Sequence, residues 1–243
     1  DLVDFTPEIR ALALEAVEGF RLGPLFTPLD RPVEGETRGT IMRPPADGTA
    51  GWAGAAMDPE TGILYIPSRN RITVTNLYTP DPALGATVAY THGAPEAQML
   101  DGSAPRGPQM PQGLPLLKPP YSRMSAVDMN TGEYAWQVPT GEGSRYRNHP
   151  RLRDLNLPPL GGDNGSNGPL LTKTLLFYCL TAGGTNEGPR LVAYDKATGD
   201  ELGSVDLPSG AIGTPMTYMV DGKQYIALTV GGGPRLIAFA LPG

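Results

Sequence analysis

The sequence predicts an all-β protein built from a repeated strand–turn–strand unit, and three observations predict it. Residues 126–136 read A-x-D-x-x-T-G-E-x-x-W. A shortened copy recurs from Ala193 through Asp195, Thr198 and Gly199 to Asp200, and a partial copy runs through Ala56, Asp58, Thr61 and Gly62. Fixed residues at fixed offsets mark a repeat architecture. Gly 32 and Pro 27 make up about a quarter of the 243 residues, yet 40% of the chain is hydrophobic; that balance fits many short strands joined by turns and not a disordered chain. Asp221-Gly222 lies between two alternating segments, which is a strong hairpin signal.

Each copy of the repeat has a local physical reason. The Asp accepts hydrogen bonds from turn amides, and Thr-Gly closes the turn with Gly free to take positive φ. Alternation places Met124, Ala126 and Asp128 on one face of the incoming strand, with Ser125 and Val127 on the other. Trp136 then falls on the outgoing strand, where it can pack against a neighbouring repeat. One D-x-x-T-G alone is an ordinary hairpin turn; three copies with a Trp at the right offset are a repeat. The spacing is 70 residues from Asp58 to Asp128 and 67 from Asp128 to Asp195. Both exceed the roughly 40–50 residues of one propeller blade, so each interval holds an insertion or a long loop.

The remaining elements follow in order. Residues 6–20 are the one helix: Thr6 is an N-cap, Pro7 suits the first turn and Glu8 favours its positive end. Ile9, Leu12, Ala13, Ala16, Val17 and Phe20 share a face, and Gly19 and Gly23 end it. This helix and its linker form a first segment, residues 1–30; residues 31–243 form the second. Strands are expected near 52–58, 63–67 and 72–77. Residues 79–120 read as a long insertion loop over one face. A strand pair covers 124–138. A second loop, 139–169, carries Arg145, Arg147, His149, Arg151 and Arg153, read as a solvated face. Further strands are expected at 169–172, 175–181, 191–194, 202–207, 213–219, 224–230 and 235–241.

Composition narrows the function. A net charge of −6 with no basic stripe argues against a nucleic-acid partner. No run approaches the roughly 20 apolar residues of a membrane span. Cys179 is the single cysteine; set in an apolar strand, it is expected in the core. One Cys and two separated His offer no metal cluster, so no metal ligand is assigned. The chain starts at Asp1 and not at Met, and is expected to be a processed or cropped piece.

The repeat resembles the tryptophan-docking motif of the PQQ-dependent dehydrogenases, the quinoprotein glucose and alcohol dehydrogenase family. Thr6-Pro7-Glu8 and residues 23–28 look like the linker before a late blade. Residues 51–62, G-W-A-G-A-A-M-D-P-E-T-G, are similar to that family's N-W-G-G-A-A-x-D-P-x-T-G. Residues 207–218 and 221–225 are similar to its final-blade signature. The resemblance covers nearly the whole chain in the order of the family's C-terminal part.

The resemblance implies an eight-bladed β-propeller of four-stranded antiparallel blades, of which this chain holds about three. They would use roughly 50–138, 168–207 and 211–241, the last without its outer strand. It implies a PQQ cofactor beside Ca²⁺, a sugar or alcohol substrate, and a quinone or cytochrome electron acceptor. The catalytic Asp belongs to earlier blades, so no catalytic residue is assigned here, and the fragment alone is expected to be inactive. The implied cofactor contacts are Gly51 and Trp52 at a blade start, Asn167 before a central strand, and Gly231 and Gly232 in an inner loop. Where the family carries Asn, this chain has Gly51. The compartment implied is the periplasm, with any membrane association supplied by the absent N-terminal half. The alternatives are a non-catalytic propeller that binds proteins, or an inactive quinoprotein. The Gly51-Trp52 blade start and the Pro215-Met216-Thr217-Tyr218 segment favour the dehydrogenase.

Overall fold

The computed structural model describes every residue except 32–37, 46–47, 81, 94–106, 164–166, 234 and 241–243. One helix, α1 (Pro7–Ala16), is followed by strands β1 (Thr40–Met42), β2 (Ala56–Asp58), β3 (Ile63–Arg69), β4 (Thr73–Tyr78) and β5 (Thr91–Gly93). Then come β6 (Ser122–Asp128), β7 (Tyr134–Pro139), a short helix α2 (Ser144–Arg147), β8 (Leu170–Leu171), β9 (Leu175–Leu180) and β10 (Arg190–Asp195). The chain closes with β11 (Glu201–Asp206), β12 (Ala211–Val220), β13 (Lys223–Val230) and β14 (Arg235–Ala240). It divides into two compact units, one of residues 1–48 with 71–118 and one of residues 49–70 with 119–243.

In the first unit α1 begins as expected: Pro7 opens it, and the Thr6 hydroxyl accepts from the Ile9 amide at 3.2 Å. It stops at Ala16, four residues before the expected end, because Gly19 turns to φ +76 and its carbonyl binds the Arg38 amide. Val17 and Phe20 stay buried beyond the helix with Ile9 and Ala13, so the apolar face reads through the turn. The strand expected at 72–77 exists as β4. It joins a separate three-stranded sheet of order β1-β4-β5, with Thr40 opposite Thr75. The buried Asn76 side chain accepts the Thr40 amide at 3.1 Å. β1 and β5, three residues each, are too short to leave a periodic signal.

The second unit holds three antiparallel sheets, of order β2-β3-β6-β7, β8-β9-β10-β11 and β12-β13-β14. The first is assembled from residues far apart in sequence, because β3 pairs directly with β6. The third has three strands, as expected for the final segment, and Asp221-Gly222 forms its hairpin with φ +48 and +76, the two positive values a type I′ turn demands. The core lies between sheets. Tyr65, Met124 and Ala126 of the first sheet meet Leu176, Tyr178, Leu180, Val192 and Tyr194 of the second. Cys179 and Leu191, on the other face of the second, meet Leu228 and Val230 of the third. Cys179 is fully buried, as expected, and burial pushes its thiol up to about 12.

The repeated turns share their hydrogen bonds. Asp128 accepts the Asn130 amide at 2.8 Å, and Asp195 accepts the Ala197 amide at 2.7 Å. The Gly132 amide donates to the Asp128 carbonyl at 2.7 Å, and Gly199 to Asp195 at 2.8 Å. Thr131 and Thr198 each accept the amide two residues on at 3.2 Å. Even the strand irregularity recurs, with a register shift after Ala126 in one copy and after Ala193 in the other.

The first two sheets lock at the second turn. Trp136 donates its indole N–H to the Lys196 carbonyl at 3.1 Å, and the Tyr65 hydroxyl donates to the same oxygen at 3.0 Å. One carbonyl has two lone pairs, and both are used. The Lys196 ammonium donates to the buried Asp58 carboxylate at 2.6 Å. Gly199 lies flat beneath the indole: a Cβ there would come within 2.7 Å of the Trp136 ring. The glycine of the motif therefore serves both the turn and the landing of the neighbour's Trp. Gly132, in the other copy, has a similarly positive φ, but a Cβ added to it would meet nothing within 4 Å.

Two outcomes follow from this geometry. Gly132→Ala meets only backbone strain, about 1 kcal/mol; Gly199→Ala adds overpacking against Trp136 and costs about 1–3 kcal/mol more, a difference read from urea denaturation. The second concerns acid. The Asp58 carboxyl is held down to about 2 from 3.8, chiefly by the Lys196 hydrogen bond, with burial opposing and the Glu60 amide and Thr61 hydroxyl helping. A lowered carboxyl pKa gives stability that is complete above about pH 4 and lost as pH falls toward 2. Denaturation midpoints between pH 5 and 2 are expected to fall less steeply in Asp58→Asn than in the parent; equal slopes would show that the pair is not linked to folding.

Candidate functional site

The chain starts its inner strands at one place in the second unit. Residues 51–53 precede β2, Asn167 and Gly168 precede β8, and Gly213 and Thr214 lie at the start of β12. Asn167 bridges Gly213 in parallel. The Thr214 hydroxyl donates to the Ala53 carbonyl at 3.3 Å. Gly168 sits between them: a Cβ on it would stand 2.2 Å from Thr214 Oγ1 and 2.4 Å from the Ala53 carbonyl oxygen. Three successive sheets thus bring their first backbone segments into contact at a point where only glycine fits.

Of the residues singled out from sequence, Gly51, Trp52 and Asn167 belong to this junction. Trp52 is 99% exposed, so its indole stands free of the protein, unlike that of Trp136. Gly51 has open space where a side chain would begin. Asn167 is buried; its amide nitrogen lies 3.4 Å from the Cys179 carbonyl, and its Oδ1 has no partner among the described residues. A buried, unsatisfied amide oxygen is costly and calls for an explanation. Gly231 and Gly232 lie at the end of β13. The Gly231 amide donates to the Gly210 carbonyl at 2.9 Å, and a Cβ on either glycine would face Ser209 Oγ at 3.6–3.7 Å. They neighbour the strand that carries Gly213, but among the described residues nothing joins them to Trp52.

Sequence reading missed Gly168, Thr214 and the Ala53 carbonyl. A signal existed: Gly168-Pro169-Leu170 and Thr214-Pro215-Met216 place a small residue and a proline at the same point of successive inner strands. The Asp residues of the repeats are turn residues here, as expected. Among the described residues no three His, Cys, Asp or Glu side chains gather in a way that could hold a metal ion. The Arg-rich stretch is tied down locally, with Arg147 donating to the Leu157 carbonyl at 3.0 Å and pairing with Glu142.

A family model described as glucose/ethanol/alcohol dehydrogenase, beta-propeller domain (PQQ) matches residues 1–226. The chain is 34% identical over 142 residues to the quinate/shikimate dehydrogenase (quinone) of Acinetobacter baylyi, across 53% of this chain and 16% of that protein. It is 28% identical over 243 residues to the quinoprotein glucose dehydrogenase of Escherichia coli, across 90% of this chain and 28% of that protein. The solved structure of a quinohemoprotein alcohol dehydrogenase from Pseudomonas putida HK5 is similar in fold, with a TM-score of 0.50 and 24% identity over 80% of this chain and 24% of that one. The chain thus spans less than a third of each of these proteins.

Gly168→Ala is expected to force Ala53 and Thr214 apart and to cost about 1–3 kcal/mol. Gly51→Ala, with space around it, is expected to stay within about 0.5 kcal/mol of the parent. Thermal melts of the two variants side by side check the difference.

Proposed function

The chain belongs to the PQQ-dependent glucose/ethanol/alcohol dehydrogenase β-propeller family, and from that premise we propose that it forms the C-terminal blades of a periplasmic dehydrogenase. That enzyme oxidises a hydroxyl of a sugar or alcohol and passes electrons to a quinone or cytochrome. The observation that carries the reading is the junction of three inner strands, with a free indole at Trp52 and an unpartnered amide oxygen at Asn167. Among the described residues no helix is long and apolar enough to cross a membrane.

The residues fit one side of a flat, polar cofactor. The Trp52 indole offers an aromatic plane, and stacking on it is worth about 0.5–1.5 kcal/mol beyond area burial. The Asn167 amide offers hydrogen bonding at the cofactor's rim, and turning it about its last bond exchanges acceptor for donor. Gly51 leaves backbone open to close approach. PQQ, when bound, supplies the two-electron redox chemistry. The protein groups present here bind, orient and exclude water. Among the described residues they include no acid or base at the junction, and on this reading proton removal from the substrate belongs to earlier blades of the full-length enzyme. No carboxylate stands at the junction among the described residues, and on this reading the Ca²⁺ ligands belong to those earlier blades as well.

The third sheet supports the same reading. Its cross-strand neighbours Ile212, Thr229 and Leu236, then Met216 and Ala227, then Tyr218 and Tyr225, share one face. Leu236 is 73% exposed, and Ile212 and Met216 are more than half exposed. A contiguous apolar sheet face of this kind suits a further blade packed on it.

The test is reconstitution of the full-length protein with PQQ and Ca²⁺, followed by dye-linked assays over sugars and alcohols. Absence of both PQQ binding and turnover would sink the proposal. Trp52→Ala is expected to leave the melting temperature unchanged and to weaken PQQ retention about tenfold, measured by equilibrium dialysis.

A further inference from the structure

The second unit has two edges, and its charges are sorted between them. Antiparallel pairing puts the starts of β2, β6, β8, β10, β12 and β14 at one edge with the ends of β3, β7, β9, β11 and β13. The contacts among Ala53, Gly168 and Thr214 align that edge across the three sheets; the turns at Asp128 and Asp195 lie at the other. All eight arginines of the unit stand at the first edge. Arg69, Arg123, Arg190 and Arg235 lie at strand ends, and four more fall between 145 and 153, on the way from β7 to β8. Five carboxylates accompany them, whereas the opposite edge holds eight carboxylates with the three lysines, Lys173, Lys196 and Lys223.

Three of these arginines are occupied: Arg190 with Glu201, Arg147 with Glu142 and Arg153 with Asp154. Arg123, Arg145, Arg151 and Arg235 are exposed and make no ion pair among the described residues. Gathering like charges at one edge raises self-repulsion, so the sorting does not serve stability. It creates a positive rim on a chain whose net charge is −6. Arginine also suits a carboxylate, because its planar fork donates to both oxygens at once and an ammonium does not. The strand starts at Trp52, Asn167 and Gly213 lie at this same edge.

We propose that the arginine edge draws in a carboxylate-bearing substrate, and that the hydroxyl oxidised at the junction belongs to a hydroxy acid and not to a neutral sugar or simple alcohol. This substrate class rests on the dehydrogenase reading above. The reaction is the same two-electron oxidation of C–OH to C=O, with both hydrogens passing to the quinone cofactor, and the carboxylate takes no part in it. A positive rim raises the local concentration of an anion and speeds its encounter; a neutral alcohol gains nothing from it. The cofactor is itself an anion, so the substrate effect is read on enzyme already loaded with it.

The test uses the full-length protein and pairs of probes that differ by one carboxylate: lactate with propane-1,2-diol, glycerate with glycerol, and gluconate with sorbitol. With PQQ and Ca²⁺ bound, kcat/KM is expected to be about tenfold higher for the acid of at least one pair, and to fall with added salt for the acid alone. The double variant Arg145→Gln/Arg151→Gln is expected to remove most of that preference through KM and not kcat, and to flatten the salt dependence. Lys173→Gln/Lys223→Gln, at the opposite edge, is expected to change neither. Saturation-transfer NMR without PQQ gives a second readout, in which binding of the preferred acid weakens in the arginine variant. Both pairs of positions lie at the surface, and thermal melts check that the variants fold. Alcohols oxidised as well as every acid, or an acid preference intact in the arginine variant, overturns the proposal and leaves the dehydrogenase reading standing. Turnover of neither class, with no PQQ bound, sinks both.

Discussion

Lys196 holds two sheets together with one residue's worth of atoms. Its carbonyl accepts from Trp136 and Tyr65, and its ammonium donates to Asp58. All three partners lie on the preceding sheet. The carbonyl can receive them because the D-x-x-T-G turn projects it outward, and the indole can reach it because Gly199 has no side chain. Net hydrogen-bond energies are modest, about 1 kcal/mol each. The larger effect is that the bonds fix register between two apolar faces whose packing is otherwise non-directional. The core of Tyr65, Met124, Leu176, Tyr178 and Val192 forms in that register. The inner strand starts that make up the candidate site are carried along with it.

This arrangement explains how far the sequence could be read. The turns were legible because Asp128, Thr131 and Gly132 act on atoms close to themselves in the chain, and Asp195, Thr198 and Gly199 repeat the same local bonds. Trp136 was legible as a docking residue from its offset, and the Asp221-Gly222 hairpin from the positive φ both positions require. The partner of Trp136 was not. Lys196 is 60 residues away, and nothing in its surroundings announces a carbonyl with two donors. The strand β4 was visible, but not its separate sheet, since its mates β1 and β5 are three residues long.

The candidate site was legible in part for a different reason. Trp52 and Asn167 stood out through family resemblance, and the structure leaves one indole free and one amide oxygen unpartnered. Gly168 was hidden because its role is steric and arises from two distant segments: the Ala53 carbonyl and the Thr214 hydroxyl both crowd the space above its Cα. A glycine between Asn and Pro reads as a loop until the chain is folded.

Docking of this kind has a direction, and that direction accounts for the unequal ends of the second unit. Each sheet offers a turn to the sheet before it and a Trp position to the sheet after it. The space above Gly132 is open, whereas Gly199 is covered by Trp136. The second sheet then presents glycine at its own Trp position, and the third shows an apolar face to solvent. An interface held by an indole is specific in register but filled; one held only by Leu191, Leu228 and Val230 keeps its register through strand starts such as Asn167 opposite Gly213 and leaves volume unused. Substituting apolar contact for directed bonds thus moves the register constraint from the outer strands to the inner ones, where the candidate cofactor-facing groups lie. On that argument the backbone bridge from Asn167 to Gly213 ties the second sheet to the third at the strand starts, on the interface where no Trp does so at the periphery.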